Sequence, residues 1–197
     1  MNKFYCGLDL GQAHDFTALA VLECSTNGPD DSHFHCRHLK RFPLRTPYPE
    51  IVKQVELLMR SPALGVTPRL IVDATGVGRP VVDLFRAAKL RPVAITITGG
   101  NAANIGSGGY HVPKRDLVSV LQVLLQSGRL KFAKGLPDIQ VLVNELLNFQ
   151  VKISPAGHDS YEAWREGAHD DLVLALSLAA WFAERKARKV RAYQGYV

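Results

Sequence analysis

The spacing of apolar residues changes period several times along the chain, and each change marks an element. Residues 3–10, KFYCGLDL, and 16–24, FTALAVLEC, are short apolar runs that read as strands joined by a turn at GQAH. Residues 33–42, HFHCRHLKRF, alternate apolar with basic or polar positions, as a half-exposed third strand does. The intervening STNGPDDS has strong turn chemistry. The period then lengthens: Ile51, Val52, Val55, Leu58 and Met59 share one helical face behind Pro49, which suits a first turn. Residues 69–76, RLIVDATG, form an apolar run that stops at an aspartate, the pattern of a buried parallel strand. A helix over 79–89 and a strand over 92–98 follow. The glycine-rich stretch from Gly99 to His111 is expected to be a mobile loop. Helices are expected over 114–128, entered through Pro113 and closed by Gly128, and over 136–150, with a brief extended piece at RLKFA between them. From Leu172 to Ala183 only Ser177 is polar, so the last long helix is buried on most of its faces. Three strands in a meander, then strand–helix–strand and more helices, predict one α/β domain with helices packed on a mixed sheet.

Composition narrows the class without changing that picture. Hydrophobic residues make up 47% of the 197, enough for a sizeable core. No apolar run approaches the roughly 20 residues of a membrane span, and the first residues lack a signal-peptide pattern. Cys6, Cys24 and Cys36 are odd in number and show no CxxC spacing, which suits free thiols and no zinc site. A cytoplasmic protein is expected. A formal net charge of +6 points mildly to an acidic partner, with nucleic acid the first candidate.

Three acidic positions each sit at the edge of an apolar element. In GLDLG the period of two sends Leu8 and Leu10 to one face and Asp9 to the other, between Gly7 and Gly11. Asp73 ends a buried strand, and ligands of open α/β sheets bind at that end. Asp170 and Asp171 stand at the mouth of the apolar helix, where an unpaired buried carboxylate would cost several kcal/mol. Each has a plain alternative. Asp9 could bond a loop amide, and Asp73 could begin a turn or cap a helix with Thr75. One of the pair could be an N-cap worth about 1 kcal/mol. Taken together, three or four convergent carboxylates without basic partners would repel unless divalent cations lay between them. Two hard cations about 4 Å apart suit in-line phosphodiester displacement.

The ordered set GLDLG with HDFTALAVLE, LIVDATGVGRPVVDLF, VPKRDLVSVLQVLLQSGRLKF, LVNELLNFQ and HDDLVLALSLAAWF resembles the nuclease domain of phage large terminase subunits. That family belongs to the RNase H-like, RuvC-type nucleases. The resemblance covers nearly the whole chain in the expected order. It implies an RNase H-like mixed five-stranded sheet in the order 3-2-1-4-5, flanked by helices. Residues 1–188 would be the nuclease domain and 189–197 a basic tail. It further implies cleavage of double-stranded DNA with two Mg2+ or Mn2+ ions. Asp9 would be the ligand shared by both ions, and Asp73 would bind one. Asp171 would be the main third ligand, with Asp170 assisting or orienting water. His169 would position a water or contact phosphate, unless it merely caps the helix. Asp15 matches the family pattern either as a turn residue or close to the metals. Lys114 and Arg79 are candidate DNA contacts, with a solvated cation the alternative for Lys114.

The sequence GVGRP lacks the GxxxxGK[ST] pattern of a phosphate loop, and no other stretch supplies it. Packaging is therefore expected to need an ATPase on another domain or subunit, with portal and small terminase as further partners in the family context. The host cytoplasm is the expected setting. Five basic residues between Arg185 and Arg191 suit either a helix C-terminus or non-specific phosphate contact. The competing readings are a RuvC-like Holliday junction resolvase, an actin-like ATPase fragment, which would need a second phosphate loop, and a non-catalytic DNA-binding scaffold.

Overall fold

Alternate residues of the first strand, β1 (Lys3–Asp9), face two different cores. The computed structural model describes residues 2–11, 15–26, 31–76, 78–148 and 169–194, and excludes the side chains of Gly78, Arg79 and 188–194. β1 lies at the centre of an eight-stranded sheet with β2 (Ala18–Thr26), β3 (Ser32–Arg41), β4 (Arg69–Asp73), β5 (Val93–Thr98), β6 (Asn104–Gly106), β7 (Gly109–Pro113) and β8 (Leu130–Phe132). The order is β6-β7-β5-β4-β1-β2-β3-β8. The first three strands form the expected antiparallel meander, and β4 joins β1 in parallel on its other side.

The expected five-stranded order 3-2-1-4-5 is present as the middle of this sheet, but the sheet is larger. β8 adds in parallel to β3, and β7 adds in parallel to β5. The stretch expected to be a loop supplies β6 and β7 as a hairpin, Ile105 opposite Tyr110 and Gly106 opposite Gly109. Its glycines serve the turn and a close approach. Gly109 has φ 151°, and a Cβ there would lie 2.2 Å from the Ala94 carbonyl oxygen. Only a residue without a side chain passes β5 at that distance. The helix expected over 136–150 is α4 (Ile139–Asn148), with residues 149 and 150 outside the described part. The turns GQAH and STNGPDDS likewise fall largely outside it.

One sheet face packs Cys6, Leu8 and Leu10 against Ile51, Val52 and Val55 of α1 (Tyr48–Met59) and Val81 and Phe85 of α2 (Gly78–Ala87). The other packs Tyr5, Ala18, Ala20, Leu22 and Ile71 under α3 (Lys114–Gln126), α4 and α5 (Asp171–Gln194). The α5 residues from Leu172 to Ala183 are all buried, as their composition predicted. The helix backbone continues past residue 188, the expected end of the domain, to Gln194. Of the five basic residues between Arg185 and Arg191, the side chains of Arg188, Lys189 and Arg191 lie outside the described residues. No described helix is long and apolar enough to cross a membrane, α5 included.

Gly7 fixes the depth at which α5 sits. A Cβ there would lie 1.9 Å from the Ala175 carbonyl oxygen and 3.0 Å from the Ala179 amide nitrogen. Helix backbone therefore rests directly on strand backbone, and neither side of that contact is a flexible side chain that can give way. Gly7→Ala is expected to lower stability by about 3 kcal/mol or more, read as a fall in the urea midpoint at unchanged m-value.

Candidate active site: carboxylates at the strand ends

β1 and β4 are paired in parallel with Leu8 opposite Val72, so Asp9 and Asp73 are the next positions in register at the carboxyl ends of neighbouring strands. The period of two puts both on the α5 side of the sheet, with Gly7 and Ile71. Each is only 7% exposed. Asp73 is held by its own turn: its Oδ1 accepts the Thr75 amide at 2.7 Å, and Thr75 Oγ1 accepts the Ile97 amide at 2.7 Å. Thus Asp73 does begin a turn, and that turn aims it at Asp9.

The two carboxyl groups lie close enough that each acts on the other's hold on a proton. Burial first, then the charges of Asp73, Asp171 and Asp170, hold Asp9 well above the usual carboxylate range. Asp73 is raised as well, mainly by burial, against hydrogen bonds from Thr75 and the positive charge of Lys114. The strand pair therefore retains a proton at pH values where an exposed aspartate would be ionised.

α5 brings Asp170 and Asp171 to the same end of the sheet. Both have basic partners, contrary to the expectation from sequence. Lys114 Nζ, at the start of α3, donates to Asp170 Oδ2 at 2.6 Å. Arg41 Nη2, from the last residue of β3, donates to Asp171 Oδ2 at 3.2 Å and also pairs with Glu145 of α4. Burial pushes Asp171 up to about 6, with Arg41 pulling the other way. Glu145 is raised to about 7 by burial, which outweighs Arg41 and the amide of Val173. The N-terminus of α5 is served from outside the helix, because the Val173 amide donates to Glu145 Oε2 at 3.0 Å. A buried acid in α4 thus does the work considered above for Asp170 or Asp171 as caps.

The remaining candidates fall at different distances from this cluster. His169 is exposed, with Nδ1 3.8 Å from Asp171 Oδ2 and its ring edge-on to Phe16 at 5.1 Å. Asp15 is exposed in the segment before β2, and its charge acts on Asp171. Lys114 is engaged by Asp170 and is largely buried. The Arg79 side chain lies outside the described residues, although its backbone opens α2 beside the Asp73 turn.

The donors here are hard oxygens, the chemistry that magnesium and manganese prefer. Asp9 and Asp73 form a pair whose retained proton a divalent cation could replace. Among the described residues, no group of three His, Cys, Asp or Glu is arranged to hold a metal ion as the side chains stand. Asp171 and Asp170 face the pair from the start of α5, each also engaged by a cation, Arg41 and Lys114.

Sequence reasoning did not single out Arg41 or Glu145. Glu145 did leave a signal: it stands three residues after the buried Leu142 on the core face of its helix. Arg41 left none, since HLKRF holds several basic residues and only strand pairing shows which reaches the strand ends.

A family model described as the terminase RNase H-like domain matches residues 6–181. Among solved structures, the large terminase nuclease of thermophilic phage G20c superposes with a TM-score of 0.62 at 20% identity, covering 90% of this chain and 81% of that one. The human cytomegalovirus terminase nuclease domain, soaked with manganese, gives 0.59 at 14% identity, covering 95% and 86%. The SPP1 large terminase nuclease domain with bound manganese gives 0.58 at 12% identity, covering 93% and 86%. No curated protein sequence matches significantly. The fold, the order of the motifs and the matched family domain agree, and the chain belongs to the terminase RNase H-like domain family.

Proposed function

We propose that this chain is a metal-dependent DNA endonuclease, hydrolysing phosphodiester bonds at the end of β1 and β4. The observation that carries the proposal is the buried pair of Asp9 and Asp73 at adjacent strand ends, with Asp170 and Asp171 facing it from the start of α5. Placing four carboxylates together has no structural benefit by itself, and cations offset their repulsion. Two relatives of the same fold were solved with manganese, which supports Mg2+ or Mn2+ here, two ions being the arrangement the carboxylate count favours. Family membership favours this reading over an actin-like ATPase or a passive scaffold.

Asp9 and Asp73 would hold the cations, Asp9 as the shared ligand, and would give up the retained proton on doing so. Asp171 would complete the set, with Asp170 beside it. Bound divalent ions supply Lewis-acid stabilisation of the charge developing on the phosphate and the departing oxygen. His169, exposed beside Asp171, would orient the attacking water, and the charge of Asp15 acts on Asp171. Lys114 holds Asp170 and would reach a DNA phosphate only by leaving it, and Arg79, in the first turn of α2 after Asp73, would be a second phosphate contact. The substrate is double-stranded DNA, with the cut made on concatemeric viral DNA during packaging in the host cytoplasm. The HK97 large terminase, of which this chain covers 40%, indicates the larger setting. A packaging ATPase, a portal and a small terminase would be partners.

Supercoiled plasmid incubated with the protein and Mn2+ is expected to be nicked and linearised. EDTA or Asp9→Asn should reduce the rate on the order of 10³-fold or more. Intact plasmid with the folded wild-type chain, across both metals and a range of salt, would remove the nuclease assignment.

The same substitution has an opposite effect on stability. The folded pKa of Asp9 lies above its unfolded value, so the folded state binds the extra proton. Its contribution therefore turns unfavourable as pH rises from about 4. Asparagine does not titrate. Metal-free Asp9→Asn should be more stable than wild type at pH 8, with a higher melting temperature, and the gap should close near pH 4 in thermal melts. Mn2+ should raise the wild-type melting temperature at pH 8 and much less at pH 5, where protons compete for the carboxylates. Asp9→Asn should lose that shift.

A further inference from the structure

Arg41 and Glu145 form a linked pair behind Asp171. A single guanidinium nitrogen, Nη2, serves both acids: it donates to Asp171 Oδ2 at 3.2 Å and to Glu145 Oε1. Beyond these acids the guanidinium packs on one ring, and the strand end that carries it is anchored. Its Cζ sits 4.4 Å from the centre of the Phe16 ring, and the Arg41 main-chain amide donates to Asp138 Oδ2 at 2.8 Å. Its side chain is 17% exposed, and that of Glu145 5%. The second oxygen of Glu145 accepts the Val173 amide, two residues into the helix that Asp171 begins. One buried acid therefore holds both the cation touching Asp171 and the helix turn carrying it.

This arrangement resolves an electrostatic conflict. A guanidinium bonded to a carboxylate fixes its orientation, but its charge also opposes any divalent cation that the carboxylate is to bind. A buried neighbouring carboxylate cancels that charge while leaving the hydrogen bond intact. We propose that Arg41 and Glu145 are positioning residues of the metal site: Arg41 orients Asp171, and Glu145 offsets the guanidinium charge so that it does not oppose a divalent cation at Asp171. The inference rests on the metal-nuclease reading of Asp9 and Asp73 and extends it to two residues outside the acidic motifs.

The test is calorimetric titration of the full chain with Mn2+, without DNA, at pH 8.5, paired with plasmid nicking. Glu145→Gln keeps one acceptor oxygen of the two, enough for either Val173 or Arg41, so it should fold with some loss of stability, yet it leaves the guanidinium charge uncompensated. Its Kd for Mn2+ should rise about tenfold or more, although no ligand has been removed. Arg41→Gln should bind Mn2+ at least as tightly as wild type but cleave slowly, because Asp171 is no longer oriented. The double variant restores the charge balance and should return the Kd to within about threefold of wild type, with cleavage still slow. Arg41→Lys, which keeps the balance and changes only the geometry, should likewise bind near-normally and turn over slowly.

A merely structural role predicts otherwise, since the double variant would bind no better than Glu145→Gln. That result overturns the inference, as does an unchanged Kd in Glu145→Gln. If Arg41→Gln loses DNA affinity at unchanged metal affinity and unchanged turnover at saturating DNA, Arg41 is a phosphate contact and the inference fails. Asp9→Asn separates the two levels of the argument. Mn2+ binding by wild type that does not depend on Asp9 would overturn the metal site itself. Asp9-dependent binding insensitive to Glu145 would overturn only the role given to the pair.

Discussion

The contact of α5 backbone with β1 backbone at Gly7 is the constraint from which the site follows. Because no side chain intervenes, the helix lies at a fixed height above the sheet and along the two central strands. Its apolar residues bury themselves in full, and the helix must then begin where the apolar sequence begins, at Asp171. That point lies over the carboxyl ends of β1 and β4. The acids of three separate segments meet because one glycine allows the third segment close enough.

Such a meeting is electrostatically costly, and the surroundings show how the protein tolerates it. Five carboxylates, Asp9, Asp73, Asp170, Asp171 and Glu145, face two cations, Lys114 and Arg41. The innermost pair responds by retaining a proton, and the outer three are ion-paired. Burial is the first cause of every raised value in the cluster, so its innermost acids hold on to protons until something replaces them. Stability is given up at this spot and supplied elsewhere, by the two apolar cores on either side of the sheet.

The hairpin of β6 and β7 and the clamp of Arg41 and Glu145 share a reason for having been missed in the sequence. Turn-rich composition describes what a segment can do alone, and GGNAANIGSGGYH alone has little reason to be extended. It becomes strand because β5 offers an unpaired edge, and Gly109 lets it pass over Ala94. Arg41 is one basic residue among several until β2 and α5 fix which of them reaches the strand ends. Lys114 shows the same effect in reverse. Its sequence position beside a loop suggested a free cation, and the fold gives it a carboxylate at 2.6 Å.

The sequence by itself determined the elements and the chemistry each one carries. Period two placed Asp9 opposite Leu8 and Leu10, an apolar run ended at Asp73, and twelve residues with one small polar group made α5 a core helix. These are local properties, set by side-chain periodicity and by what a strand or helix can bury. The tertiary structure alone decided the partners. Sheet order put Asp9 next to Asp73, the depth of α5 brought Asp171 to them, and residues up to 130 positions apart joined as Arg41, Glu145 and Asp171. Charge compensation depends on distance through space, which no spacing along the chain encodes.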